Sequence, residues 1–245
     1  APSVTGTINL TSGEIAVSSD IAILGPGTGI LTVSGNNASR IFTLAFGSIM
    51  SISDLTIANG LTTFSEDGAG VRSSGALTID RCVFTNNNAS RFGGAISNGI
   101  GGILTVRNST FNANTGRYGG GVYNGSSASI NNSTFYANRA VYDITLAGGF
   151  GGGIFNSGPS LSVTSVTLTS NSGIGGGIAR DGGTAIIRNT VIAGNLDTFG
   201  TIPSDINGDL TSQGFNFIAR SDGGTGFTDG VNADQVGTNA APRDP

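Results

Sequence analysis

The residues best suited to binding chemistry are arginines that stand directly before aromatic residues. The segments SRFGG and GRYGG place Arg91 beside Phe92 and Arg117 beside Tyr118, and Phe150 continues the aromatic position before another glycine pair. A guanidinium group beside an exposed ring can stack on a sugar or on a peptide partner. The pattern therefore predicts a ligand-binding edge; the alternative is that the rings pack under neighbouring loops.

Two more aromatic residues and one insertion extend this candidate surface. Tyr123 and Phe155 each follow an apolar residue that we expect to face inward, so their own side chains should point outward. Residues 139–150, which include Tyr142, lengthen one copy of an internal repeat; such insertions become lateral loops that often carry recognition, or else reflect neutral drift. The predicted ligand-binding set is Arg91, Phe92, Arg117, Tyr118, Tyr123, Tyr142, Phe150 and Phe155.

The composition restricts the class of partner. The 245 residues include 42 glycines but only 11% charged residues, and all eleven basic residues are arginines. Because the net charge is −4 and no basic run exists, we expect no nucleic-acid partner. We also expect no membrane span in this fragment, since no apolar run reaches 18 residues. Cys82 is the one cysteine and is expected to be a small buried hydrophobe.

An internal repeat determines the fold prediction. A glycine-rich segment recurs with steps of 25, 26, 32 and 24 residues between its last positions, which are Val71, Ile96, Val122, Ile154 and Ile178. A second segment, LTIDRCVFTNN in its first copy, recurs with steps of 27, 24, 33 and 24 residues between its central positions, which are Phe84, Phe111, Phe135, Leu168 and Ile192. Both series contain one long step at the same place, which indicates a true repeat with one insertion.

Apolar and polar residues alternate within each copy, which is the period of a β-strand. If each copy forms one coil, like positions stack about 4.8 Å apart and build continuous apolar stripes inside the coils. Two stripes are the series just given, and the other two are Leu77, Leu104, Ala128, Leu161, Ala185 and Ile79, Val106, Ile130, Val163, Ile187. We therefore predict an all-β, right-handed, single-stranded parallel β-helix with about 24–27 residues per coil.

Asparagine and glycine recur where the coils must bend. Asparagines occupy residues 87, 114, 138, 171 and 195, and again residues 98, 124 and 156. Because asparagine tolerates left-handed backbone geometry, we expect these residues to form the bends and to hydrogen-bond to each other along the axis. The glycine pairs should lie at tight bends or where backbones approach closely.

The chain divides into three stretches of one continuous domain. Residues 1–60 are predicted to form irregular early coils, residues 61–196 the regular repeats, and residues 197–245 an acidic, irregular final coil or cap. The triplet at residues 55–57 is placed in the same strand position as the triplet at residues 77–79. This alignment gives one outward hydroxyl column, Thr56, Thr78, Thr105, Ser129 and Ser162. A single column is too little for ice binding, which needs a regular two-dimensional array.

Catalytic chemistry has little support in the residues. Galacturonan hydrolases built on parallel β-helices have paired aspartates and a histidine, whereas this sequence has no histidine and no Asp-Asp pair. A lyase would need a basic residue beside a set of carboxylates. The candidate bases are Arg81, Arg107 and Arg188, and the carboxylates in the body of the repeat are Asp80, Asp143 and Asp181. We predict that the chain is not an enzyme and keep a polysaccharide lyase or hydrolase as an alternative.

The acidic tail is the weak candidate for a metal site. Seven of the fifteen acidic residues lie in the last 49 positions, among them Asp205 and Asp209. Carboxylates and backbone oxygens suit Ca²⁺, but neither a DxDxDG loop nor a nonapeptide repeat is present. Solvated loop acids are the simpler interpretation, so no cofactor is predicted.

The alternation of GGA[ILV] with FxxN resembles the repeats of chlamydial polymorphic outer-membrane proteins and of large bacterial surface β-helices with a variable C-terminal anchor. The matching motifs are GGAI at residues 93–96 and FxxN at residues 84–87, 111–114 and 135–138. The resemblance implies secretion, attachment to a bacterial cell surface and adhesion. We therefore predict a non-catalytic extracellular module that binds a host or matrix glycan or protein. The alternative is a structural spacer or a filament subunit whose copies associate end to end.

Overall fold

A computed structural model describes residues 4–64, 66–142, 148–200 and 202–244. In this part of the chain the regular secondary structure is β-strand except for one 3-10 turn at Val231–Ala233. The strands in chain order are β1 (Gly6–Asn9), β2 (Ile15–Val17), β3 (Ile21–Leu24), β4 (Leu31–Ser34), β5 (Phe42–Leu44), β6 (Ile49–Ser53), β7 (Thr56–Ala58), β8 (Val71–Ser73), β9 (Ala76–Asp80), β10 (Val83–Thr85), β11 (Ile96–Asn98), β12 (Ile103–Arg107), β13 (Thr110–Asn112), β14 (Thr115–Gly116), β15 (Val122–Asn124), β16 (Ser127–Asn131), β17 (Thr134–Tyr136), β18 (Arg139–Ala140), β19 (Ile154–Asn156), β20 (Ser160–Thr164), β21 (Thr167–Thr169), β22 (Ile178–Arg180), β23 (Thr184–Arg188), β24 (Val191–Ala193), β25 (Ile206–Asp209), β26 (Thr211–Ser212), β27 (Phe217–Ile218), β28 (Gly224–Thr225) and β29 (Gln235–Val236).

Three long parallel sheets run along one axis. The first sheet has ten strands in the order β1-β4-β7-β10-β13-β17-β21-β24-β27-β29. The second has nine, β2-β5-β8-β11-β15-β19-β22-β25-β28, and the third has eight, β3-β6-β9-β12-β16-β20-β23-β26. Because each coil contributes one strand to each sheet, the chain forms the parallel β-helix that the repeat predicts.

The four predicted apolar stripes form the core. Strand register aligns Leu77 with Leu104 and Ile79 with Val106, and the same alignment continues through the later copies. Every predicted stripe residue is buried. In the phenylalanine stripe the rings of Phe84 and Phe111 stack with centroids 5.0 Å apart, and those of Phe111 and Phe135 with centroids 4.6 Å apart. Cys82 is also buried, and burial raises the pKa of its thiol to about 11.

Two ladders of buried asparagines run beside the apolar core. The Nδ2 atom of Asn87 donates to Oδ1 of Asn114 at 3.0 Å, and the same bond recurs at 2.9 Å through Asn138, Asn171 and Asn195. A shorter ladder joins Asn98 to Asn124 and Asn124 to Asn156. The predicted hydrogen bonds along the axis are therefore confirmed.

None of these asparagines has a positive φ, although tolerance of the left-handed conformation was the reason to expect asparagine at the bends. The left-handed residue in each bend of the long ladder is the preceding one, and these residues are Asn86, Ala113, Ala137, Ser170 and Gly194. Each ladder side chain points inward to bond with the next coil. The residue before it adopts the left-handed conformation that turns the chain at the bend. The predicted roles of the glycine pairs are both present: Gly93 has a φ of 61°, and a Cβ on Gly94 would lie 2.2 Å from the carbonyl oxygen of Gly120.

The predicted alignment of residues 55–57 was wrong. The strand partners of Leu77, Thr78 and Ile79 are Met50, Ser51 and Ile52, which lie in the third sheet. Residues 55–57 lie in the first sheet instead, where Ile57 is paired with Phe84. Thr56 therefore does not belong to the predicted hydroxyl column, and Ser51 takes its place. The cause is that apolar-polar-apolar triplets of the same kind occur five residues apart.

The predicted insertion lies between two positions that keep their register. Arg139 is paired with Thr115 in a small two-stranded sheet of β14 and β18, and Phe150 is bridged to Tyr118. Residues 143–147, which include the candidate carboxylate Asp143, lie outside the described residues. In the tail, strands β25 to β29 continue the same sheets with shorter pairings.

Candidate binding trough

The first predicted aromatic column is present. Parallel backbone bridges join Phe92 to Tyr118 and Tyr118 to Phe150, one residue in each of three successive coils. Each of these residues precedes a glycine with positive φ, such as Gly119 at 69°. The sequence therefore sets these aromatic residues at the bend that leads into the second sheet, where one ring follows another along the axis.

The second column lies on the outer face of the second sheet. Tyr123 and Phe155 are paired neighbours in β15 and β19, and their side chains point away from the core because Val122 and Ile154 point into it. The register continues this column with a small residue on either side, Ser97 before Tyr123 and Ala179 after Phe155.

The five rings of the two columns pack on each other, and we call them the aromatic cluster. Phe92 and Tyr123 stack with centroids 4.2 Å apart and planes 9° apart. Tyr118 lies 5.3 Å from Phe155, 5.5 Å from Phe92 and 6.1 Å from Phe150. As a result Phe155 is only 4% exposed although it points outward. The sequence predicted separate exposed rings, but the rings cover one another because neighbouring coils bring them within van der Waals reach.

Both predicted arginines contact the aromatic cluster. The guanidinium carbon of Arg91 lies 4.1 Å from the centroid of Phe92, and that of Arg117 lies 5.8 Å from the centroid of Tyr118. Since Tyr123 covers one face of Phe92, Arg91 must cover the other. These contacts are cation–π interactions, each with a stabilisation of about 0.5–1 kcal/mol at exposed sites.

Two surface depressions join over the aromatic cluster. A cavity of about 290 Å³ is lined by Arg91, Phe92, Arg117, Tyr118, Tyr123, Phe155, Ser157 and Asp181. A second cavity of about 170 Å³ is lined by Tyr118, Phe150, Phe155, Arg180, Asp181 and Asn207. The two cavities adjoin, since they share Tyr118, Phe155 and Asp181, and together we call them the aromatic trough. It crosses five successive coils, or about 19 Å at the usual spacing of parallel strands.

Comparison with known proteins supports the fold. The family described as right handed beta helix region matches residues 11–197. The chain belongs to this right-handed β-helix family. No curated protein and no solved structure matches the chain significantly.

Four residues of the trough in this β-helix were missed by the binding prediction. Ser157 donates a hydrogen bond from Oγ to Oη of Tyr123 at 2.8 Å, and Arg180, Asp181 and Asn207 form the far rim. Asn207 is paired with Ala179 and so continues the column of Tyr123 and Phe155, which extension of the repeat by one copy would have found. No sequence signal marks Asp181 as a trough residue.

One residue of the predicted set lies apart from the aromatic cluster. Tyr142 is exposed, and its ring lies 6.4 Å from that of Phe199. It lines neither of the two cavities of the trough. The structure thus brings together seven of the eight predicted residues and leaves out Tyr142, because the insertion carries it past the end of its β-helix coil.

The candidate bases lie on another part of the surface. Arg81 donates from Nε and Nη2 to the two carboxylate oxygens of Asp54, at 2.7 Å each, and also pairs with Asp80. The hydrogen bond from Arg81 lowers the pKa of Asp54. Arg107 is paired in register with Asp80 on the outer face of the third sheet. Arg188 lies further along the same column.

The two weak metal candidates have other partners. Oδ1 of Asp205 accepts hydrogen bonds from the backbone N and from Nδ2 of Asn195, at 2.9 Å each. Asp209 is exposed, accepts a hydrogen bond from Oγ1 of Thr225 and lies 3.9 Å from Nη1 of Arg180. Across residues 4–64, 66–142, 148–200 and 202–244, no group of three or more His, Cys, Asp or Glu side chains is placed to hold a metal ion. Nor does the described structure contain a helix long and apolar enough to cross a membrane.

Proposed function

We propose that this β-helix is a non-catalytic surface module that binds a glycan chain in the aromatic trough. The observation that carries the proposal is the continuity of the trough, whose two cavities share Tyr118, Phe155 and Asp181. A depression that crosses five coils fits an extended polymer better than a compact small molecule.

The lining of the trough suits sugars. Its floor is made of aromatic rings, which contact the C–H faces of sugar rings, and its rim carries both hydrogen-bond donors and acceptors for hydroxyl groups. Ser157, Arg180, Asp181 and Asn207 provide these rim groups. A protein ligand is the other partner class for such a surface, and the same binding experiment distinguishes the two.

A non-catalytic role is supported by the state of the candidate catalytic residues. The sequence has no histidine, and Arg81, which is held between Asp54 and Asp80, has a raised pKa that makes it a poor base. Location on a bacterial surface and adhesion follow from the resemblance of the GGAI and FxxN repeats to polymorphic outer-membrane proteins, and they are part of the proposal.

End-to-end self-association is the second candidate function. Strands β1, β2 and β3 each have a strand neighbour on one side only within the described residues. Ile8, Ile15 and Ile21 on these strands are exposed. Unpaired edges with apolar side chains favour the addition of further strands. Filaments whose formation depends on protein concentration, seen by electron microscopy, would support this candidate.

An array of immobilised glycans and matrix proteins tests the main proposal. We expect the chain to bind glycans and Asp181→Ala to weaken that binding, since Asp181 is exposed and lines both cavities of the trough. Binding to proteins alone, or to no glycan at all, would contradict the proposal.

A further inference from the structure

Two arginines of the trough have no ion-pair partner. Within the described residues Arg40, Arg81, Arg180 and Arg243 each lie within 4 Å of a carboxylate oxygen. Arg91 and Arg117 form no such pair, although the chain as a whole carries a net charge of −4. Within the described residues, these two guanidinium groups therefore have no ion-pair partner that an anionic ligand would have to displace.

The guanidinium of Arg117 also has an unused donor. Its Nε atom is buried and has no hydrogen-bond partner in the described structure. A Cβ on Gly148 would lie 2.4 Å from Cγ of Arg117, so the aliphatic part of the side chain is held closely against the backbone of the insertion. Because this Nε atom is buried, a ligand in the trough would contact the rest of the Arg117 guanidinium group, which lines the cavity.

The two arginines without an ion pair lie at one end of the trough. Arg91 and Arg117 belong to the two earliest coils that line it. Arg180, Asp181 and Asn207 belong to the two latest, where Arg180 lies beside Asp181 in sequence and 3.9 Å from Asp209. Arg72 is exposed on the same outer face one coil before Ser97. Asp67 interacts electrostatically with Arg91 without forming an ion pair within 4 Å, and burial raises the pKa of Asp67. The trough is therefore electrically asymmetric along the axis.

We propose that the ligand of the trough is a carboxylate-bearing glycan, with one carboxylate at Arg91 and Arg117 and neutral sugar hydroxyls at Asp181 and Asn207. This inference rests on the proposed glycan-binding function. A planar carboxylate has two oxygens that match the Nε and Nη donors of one guanidinium, and such bidentate pairs are among the strongest hydrogen bonds in proteins. Arg91 and Arg117 both line the trough, so their guanidinium groups are the donors to which a ligand carboxylate would bind.

Calorimetric titration with four oligosaccharides tests the inference. The probes are a hexasaccharide of alternating glucuronate and N-acetylglucosamine, its methyl ester, a neutral hexamer of N-acetylglucosamine, and a sulfated neutral oligosaccharide of similar length. We expect the carboxylate form to bind at least about tenfold more tightly than the other three, which is the loss expected for one charge-assisted hydrogen bond.

Matched arginine variants locate the effect. Arg117→Gln should weaken binding of the carboxylate form at least about tenfold and leave its methyl ester unaffected. Arg188→Gln, on the outer face of the third sheet, should change neither. If Arg117→Gln lowers the thermal unfolding midpoint, its loss of binding could come from loss of structure. Arg91→Gln is then tested in its place, with the same expected loss of affinity for the carboxylate form.

The outcomes separate this inference from the proposed function. Equal binding of neutral and carboxylate probes would overturn the inference and leave glycan binding intact. Tighter binding of the sulfated probe, or equal losses in Arg117→Gln and Arg188→Gln, would also overturn it. Failure of all four probes to bind would contradict both proposals.

Discussion

Asn195 donates two hydrogen bonds to the same oxygen, Oδ1 of Asp205, from its backbone N and from its side-chain Nδ2, each at 2.9 Å. Asp205 thus occupies the position that the next asparagine of the long ladder would take. Oδ1 of Asp205 accepts both hydrogen bonds, and a carboxyl group lacks the amide donor by which every earlier member of the ladder continues to the next coil. Asn216 and Asp234 repeat the arrangement in the next part of the chain.

Removal of the Asp205 carboxyl group should destabilise the protein. Asp205→Ala leaves two buried donors of Asn195 without an acceptor, and we expect the free energy of unfolding to fall by about 3 kcal/mol. Denaturant titration measures the change. Asp209→Ala is the control, because Asp209 is exposed and should change stability by less than about 0.5 kcal/mol. Equal losses of unfolding free energy in the two variants would contradict a stabilising role for Asp205 at the end of the ladder.

The charge of Asp205 should make stability depend on pH. Burial raises its pKa above the ordinary 3.8, so the folded protein retains this proton at pH values at which the unfolded chain has lost it. The contribution of Asp205 to the free energy of unfolding is therefore present at low pH, and it is lost as the pH rises through the pKa of Asp205 in the folded protein. Asp205→Asn keeps the acceptor oxygen without the charge, so its stability relative to the natural protein should increase as the pH rises from about 3 to about 7. A constant difference over that range would contradict this explanation.

The phenylalanine stripe should contribute strongly to stability. Phe111 is fully buried and stacks on Phe84 and Phe135, so Phe111→Ala should lower the free energy of unfolding by about 3–5 kcal/mol. Phe64→Ala is the matched control, because Phe64 is 96% exposed. Similar losses in the two variants, measured by denaturant titration, would contradict the placement of Phe111 in the core.

The first glycine of each repeat should not tolerate alanine. Gly93 has a φ of 61°, and an added Cβ would lie 2.0 Å from the carbonyl oxygen of Ile96. We expect Gly93→Ala to cost about 3 kcal/mol of unfolding free energy from the strain and the clash together. Gly13 has a φ of 97° but open space around it, so Gly13→Ala should show the conformational cost alone, about 1 kcal/mol. Equal losses of unfolding free energy in the two variants would show that the backbone around Gly93 shifts to make room for the added Cβ.

Much of the fold follows from local sequence patterns. The inward stripes could be predicted because alternation with a period of two assigns Leu77 and Ile79 to one face wherever the strand lies. The sheet to which a short strand belongs could not be predicted at residues 50–57, where similar triplets occur twice. Only the pairing of Ile57 with Phe84 resolves this ambiguity, and that pairing is a long-range contact.

The candidate site was predictable only in part. The columns of Phe92 and Tyr118 follow from the repeat, because equivalent positions stack along the axis. The stacking of Phe92 on Tyr123 depends on side-chain rotations that no repeat pattern encodes. Asp181 is exposed after the end of β22, and its contacts with the cavity of Tyr118 and Phe155 are long-range.

The most direct test of the glycan-binding proposal compares two tyrosine variants by calorimetric titration with the same glycan hexamer. Tyr118 contributes to both cavities of the trough, whereas Tyr136 is 48% exposed on the outer face of the first sheet. We expect Tyr118→Ala to weaken binding of a glycan hexamer at least about tenfold, as loss of a central aromatic contact does, and Tyr136→Ala to leave it unchanged. Equal affinities of the two variants for the hexamer would contradict the proposal that the trough is the binding site.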